Sequence, residues 1–240
     1  MKRHLVAMLS ISLLTSSALF AVEKGKEKEA IQNIEFIKKT GFSIKDFKDI
    51  GDIYAVNASH PRVPKATLFV TKDFKNVVIG QGFTSTGAEI DFPIAMEQYK
   101  KEAAYTIGNG KNEYYLFTDP ECPYCKKFEQ MSNNLHDDIK LHVFFFPLDF
   151  HQNAKAMSKY ILAQKSNELR AKAMKDIADG KENYKTIKLS DADDKKFNEV
   201  ISRHLKIGQE IGVNGTPAVF DAKGKPIQWP NLLKNKQGLQ

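Results

Sequence analysis

Cysteine is almost absent: Cys122 and Cys125 are the only two in 240 residues, and two residues separate them. A small secreted domain stapled by disulfides needs more cysteines at wider spacing, so that class is excluded. A bridge across so short a loop removes little entropy from the unfolded chain and would brace the fold weakly. The pair is therefore read as reactive rather than structural. Long apolar runs are also missing after the first residues, since none approaches the roughly 20 residues that cross a bilayer as a helix. No repeat or low-complexity segment interrupts the chain. The net charge of +7 comes largely from lysines scattered without an aromatic-interleaved cluster, which predicts a solvated basic surface and no nucleic-acid partner.

What is present begins with a leader. Lys2 and Arg3 precede an apolar run from Leu5 to Leu14 and the small residues Thr15, Ser16, Ser17 and Ala18, the layout of a secretory signal peptide. Cleavage after Ala18 or after Ala21 both fit, so residues 1–21 are assigned to the signal. The remainder is expected to be soluble and outside the cytoplasm.

The rest divides into three parts. Residues 22–90 carry a helical spacing of Ile31, Ile34, Phe36 and Ile37 over 27–40, a stop at Gly41, and strand-like runs at 53–57, 67–71 and 77–83. So thin a core is marginal alone, which predicts pairing with a second copy. Residues 91–108 read as a linker helix, spanning 92–107 and broken by Gly108-Asn109-Gly110. From 109 to 240 the signals alternate between strand and helix, as in an α/β domain. Strands are expected at 114–118, 141–146, 218–221 and near 226–228. Helices are expected at 122–135, over 153–178 and at 193–211, the last stopped by Gly212.

The chemistry concentrates at Phe117-Thr118-Asp119-Pro120-Glu121-Cys122-Pro123-Tyr124-Cys125-Lys126, which runs from strand through loop into helix. Cys122 falls at the helix start, where unpaired N–H groups and the positive end of the dipole stabilise a thiolate. Pro123 suits the first helical turn, where its missing N–H costs nothing. The thiolate is the species that attacks disulfides, so Cys122 is the candidate nucleophile. Cys125, one turn further in, is the candidate resolver. Lys126 and Lys127 would assist the thiolate and Glu121 would oppose it. Two rival schemes use histidines. A zinc site would add His136 and His142 to the cysteines, but His142 lies in a run that reads as a central strand. A hydrolase would pair Cys122 with His136, His142, His151 or His204, yet no spacing fixes such an arrangement.

The segment FTDPECPYCKKF, together with Gly212-Val213-Asn214-Gly215-Thr216-Pro217-Ala218, resembles the thioredoxin superfamily and, within it, the periplasmic disulfide isomerases DsbC and DsbG. The CPYC stretch is most similar to DsbG. Glutaredoxins share CPYC, but the exported leader, the chain length and the separate N-terminal region count against them. The resemblance implies a thioredoxin-like catalytic domain with a helical insertion, preceded by a small α+β dimerisation domain and a linker helix. It implies a cis Thr216–Pro217 bond beside the disulfide, with Pro123, Tyr124, Thr216 and Pro217 binding substrate or tuning the site. It also implies a homodimer, misfolded exported proteins as substrates, a membrane thiol reductant or oxidant as partner, and no cofactor or metal beyond the Cys122–Cys125 disulfide. Two other roles stay open: a dithiol oxidase, and a chaperone-like binder of unfolded exported proteins. Only ten residues follow Trp229-Pro230, so the last thioredoxin helix is expected to be short.

Overall fold

The structure, a computed structural model, describes residues 25–234, so the leader expected over 1–21 lies outside the described residues. Where the apolar spacing predicts one helix, two short ones form, α1 (Glu27–Gln32) and α2 (Glu35–Thr40). Gln32 sits at the break and ties the helices to the next strand, its amide donating to Phe42 O and its carbonyl accepting from Ile44 N. Gly41 ends α2 in the left-handed region, at φ 81°, a conformation glycine takes without steric cost.

An antiparallel sheet follows, with strands β1 (Ser43–Asp49), β2 (Ile53–His60), β3 (Val63–Thr71) and β4 (Val77–Ile79) in that spatial order. Its inner face lays Ile44, Tyr54, Val56, Ala58, Leu68 and Val70 against Ile31 and Ile37. The sequence reading has no strand at β1, because this edge strand buries only Ile44 fully, covers Phe47 in part and is polar at its other positions. The strand expected over 77–83 stops at Ile79, and Phe83 makes only an isolated bridge to Glu89.

The helix expected over 92–107 is not formed. Met96–Glu102 is a 3-10 helix, and Tyr105–Ile107 becomes β5. Tyr105, Thr106 and Ile107 are aromatic or β-branched and favour a pleated strand. Met96 is fully buried in the core of the unit that follows, so this stretch is part of the α/β body.

That body continues with β6 (Asn112–Thr118), α3 (Pro123–Gln130), β7 (Ile139–Phe145), α4 (Ala154–Leu162), α5 (Asn167–Ala178), α6 (Asp191–Ile211), β8 (Ala218–Asp221) and β9 (Pro226–Ile227). The sheet order is β5-β7-β6-β8-β9, with β6 and β7 parallel and the other pairings antiparallel. Helix α3 is shorter than the predicted 122–135 and gives way to a 3-10 turn at Ser132–Asn134. After β9 a 3-10 turn, Trp229–Leu232, stands where a short final helix is expected.

Both faces of the sheet are covered, as its near-continuous apolar central strands require. One core joins Leu116, Leu141, Val143 and Phe145 to Phe128 of α3, Ile161 of α4 and Ile177 of α5. The other joins Tyr115, Phe117, Phe144 and Phe220 to Met96 and to Ile207 and Ile211 of α6. Helix α3 therefore starts where β6 ends, which puts the two cysteines at the carboxyl edge of the central strands.

Candidate active site

The site grows out of the end of β6. Thr118 and Asp119 are buried, and Asp119 is fully so. The Asp119 carboxylate organises the loop that follows it. Its Oδ1 accepts from the N–H of Glu121 at 2.8 Å and of Cys122 at 3.3 Å. Its Oδ2 accepts from the N–H of Leu148 at 2.7 Å and lies 2.8 Å from His151 Nδ1. A buried carboxylate needs partners of this number to offset its lost hydration, and here they pin the turn into α3.

Cys122 is the N-cap of α3, in extended geometry at φ −62° and ψ 127°, and Pro123 takes the first helical turn. Both cysteines are free thiols. Cys122 is 5% exposed and Cys125 0%. Cys122 Sγ donates to Thr216 O at 3.5 Å, while Asp119 N–H donates to Cys125 Sγ at 3.4 Å. The Thr216–Pro217 bond is cis, and Thr216 Oγ1 is buried. The loop before β8 thus lies directly against the nucleophile. Tyr124 stands out to solvent, 68% exposed.

The thiols are electrostatically unequal. The hydrogen bond from the Cys125 side chain, followed by backbone N–H groups of the first turn and by Thr216, pulls the Cys122 thiol down to about 5 against the opposing effect of burial. Burial, and then the same partnership with Cys122, pushes the Cys125 thiol far above the ordinary thiol range. One proton shared between the two thiols gives this split, and the deeper burial of Cys125 decides which sulfur carries the charge.

The remaining predicted residues are dispersed. Glu121 turns away from the thiols, and its carboxylate accepts from Asn153 N and Nδ2 at 2.6 and 3.0 Å, closing the loop before α4. His136 is exposed in the turn before β7. His142 is buried in β7 beside Thr106 and Glu113. His204, also buried, accepts from Phe145 N through Nδ1 and pairs with Glu102 O through Nε2. Among the described residues no group of three or more His, Cys, Asp or Glu is arranged to hold a metal ion. His151 alone of the four connects to the site, and it does so through Asp119. The sequence reading missed the anchoring role of Asp119, although its place in the loop between strand and CPYC was visible. It also missed Glu129 of α3, a carboxyl only 3% exposed that burial raises to about 7.

Residues 99–237 match the thioredoxin-like domain family, and the chain belongs to that family. Within it, the chain is similar to proteins of the DsbC and DsbG type. It is 25% identical over 245 residues to the thiol:disulfide interchange protein DsbG of Pseudomonas aeruginosa, across 94% of this chain and 92% of that protein. It is 28% identical over 179 residues to the thiol:disulfide interchange protein DsbC of Salmonella typhimurium, across 70% of each. A solved disulfide interchange protein from Neisseria gonorrhoeae aligns with a TM-score of 0.43 at 25% identity, covering 55% of this chain and 91% of that one.

Proposed function

We propose that the protein is a thiol–disulfide oxidoreductase that reduces or rearranges wrong disulfides in exported proteins, with Cys122 as nucleophile and Cys125 as resolver. The observation that carries this is the inequality of the two thiols: Cys122 at the start of α3 facing the Thr216 carbonyl, Cys125 behind it and fully buried. Cys122 as thiolate attacks one sulfur of a substrate disulfide, and the other substrate sulfur leaves as a thiolate. The mixed disulfide then resolves through Cys125, which oxidises the pair and reduces the substrate, or through a substrate thiol, which leaves the pair reduced and the substrate rearranged. Backbone groups around Thr216 and Pro217 offer an extended substrate strand-like pairing beside the sulfurs, and exposed Tyr124 offers it an aromatic surface.

Around this chemistry we place export to the periplasm, a homodimer formed through residues 22–90, and a membrane thiol reductant that resets the pair. A second reading, a dithiol oxidase that donates its disulfide, is favoured by the low position of the Cys122 thiol, since stabilising the thiolate makes the disulfide more oxidising. Equilibration with glutathione, combined with refolding of a scrambled-disulfide substrate, separates the two. Efficient unscrambling with weak oxidation of reduced substrate is expected. Strong oxidation without unscrambling would assign the oxidase role. A chaperone-like binder is tested by the Cys122→Ala, Cys125→Ala double variant, which would then aid disulfide-free clients as well as the wild type does.

A further inference from the structure

The loop between β7 and α4 is tied to the turn that enters α3 by two carboxylates of that turn. Asp119, fully buried, accepts Leu148 N–H and the His151 ring on Oδ2 and the N–H groups of Glu121 and Cys122 on Oδ1. Glu121 accepts Asn153 N and Nδ2. With N–H donors on both of its oxygens Asp119 is an acceptor, so the proton of the 2.8 Å contact sits on His151 Nδ1. Of these four donors to Asp119, His151 is the only side chain and the only one able to carry charge. It arrives from 32 residues further along the chain. Its side chain is 16% exposed, and the Phe150 ring meets it edge to face at 4.5 Å.

Asp119 in turn touches both cysteines. Its carboxylate and its carbonyl accept the Cys122 N–H at 3.3 and 3.1 Å, and its own N–H donates to Cys125 Sγ at 3.4 Å. A buried negative charge is thus held next to the residue whose thiolate attacks, and a like charge disfavours that thiolate. A donor on Oδ2 draws the charge away from Cys122 and fixes how the carboxylate is turned, which sets the contact that Oδ1 makes with the Cys122 N–H. We propose that His151 is a positioning residue for Cys122, acting through the hydrogen bond it donates to Asp119. The inference rests on the disulfide-exchange reading and adds to it a residue outside both the CPYC turn and the Thr216–Pro217 loop. In this role His151 touches no substrate atom and exchanges no proton with either thiol. Without its donation Oδ2 keeps only the Leu148 N–H in a place closed to water, the carboxylate is free to turn, and its charge is felt more strongly at Cys122.

The alkylation rate of Cys122 in the reduced protein, followed against pH with the labelled residue identified by mass spectrometry, tests this. In wild type the midpoint of the profile is expected at about 5. His151→Leu removes the donor and keeps the bulk, and is expected to raise the midpoint by about one pH unit, a tenfold fall in the ratio of thiolate to thiol at a given pH. His151→Asn, whose side-chain amide offers an N–H close to the place of Nδ1, is expected to restore the wild-type midpoint. An unmoved or lowered midpoint in His151→Leu would overturn the proposal even if the melting temperature fell, because a side chain that merely braces the loop gives that result. Equal shifts in the Leu and Asn variants would overturn it as well. If His151→Leu does not fold, wild type supplies the second measurement. Nitrogen NMR of the His151 ring should show a protonated Nδ1, and that resonance should move when the Cys122–Cys125 bond forms and the thiolate charge is lost. A His151 resonance indifferent to oxidation of the pair would overturn the proposal. A wild-type protein that forms no mixed disulfide with oxidised glutathione would instead overturn the disulfide-exchange reading, and the alkylation midpoints would still judge His151.

Discussion

Two sulfurs of the same residue type, one turn apart, acquire opposite character from their surroundings: the Cys125 side chain and the N–H groups of the first helical turn favour a thiolate at Cys122, and the apolar interior holds a proton on Cys125. That much was legible in CPYC, because a proline inside a first helical turn marks the helix start. The support beneath it was not legible. Asp119 reads in sequence as an ordinary loop aspartate, and only the fold brings Leu148 and His151 to its second oxygen. Asp119→Ala should strip partners from several buried N–H groups and cost about 2 kcal/mol or more, measured by denaturant unfolding, with loss of rapid Cys122 alkylation. A residue-scale pH effect comes from His204, which burial pushes down from 6.5 to about 4. Between those values the unfolded chain takes up a proton that the folded state refuses. Stability should therefore fall as pH drops from 6.5 toward 4, by about 3 kcal/mol from this group. Unfolding curves of wild type and His204→Gln across that window check it, and the two should lose the difference in slope above pH 7.

At the scale of elements, periodicity served well where burial was two-sided and poorly where it was not. The central strands β6 and β7 and helix α6 were readable because their apolar residues are dense or evenly spaced. Edge strands β1 and β5 were not: one is mostly polar, and the other is three residues hidden behind alanines that mimic a helix. Gly208 shows how tightly α6 lies on the sheet. A Cβ there would come within 2.5 Å of the Phe146 ring and 3.2 Å of the Phe117 ring. Gly208→Ala should thus cost about 1–3 kcal/mol through overpacking, despite alanine's better helix propensity. A thermal melt that shows Gly208→Ala equal to or more stable than wild type would contradict the packing.

The molecule as a whole joins an antiparallel unit with a small core, built on Ile31, Ile37, Leu68 and Val70, to a larger α/β body that holds every residue of the site. The small core and the solvent-facing Val78, Ile79 and Phe83 near β4 support the dimer proposed through residues 22–90. Sedimentation of the full chain as a dimer and of a 91–240 fragment as a redox-active monomer is the expected outcome, whereas a fragment that still dimerises would place the contact elsewhere. The central claim, that Cys122 attacks and Cys125 resolves, is tested most directly by trapping. Cys125→Ala leaves a nucleophile without its internal resolver and should accumulate mixed disulfides with exported proteins, seen as thiol-sensitive bands on non-reducing gels. Cys122→Ala should accumulate almost none. Equal trapping by both variants, or trapping by neither, would contradict the account.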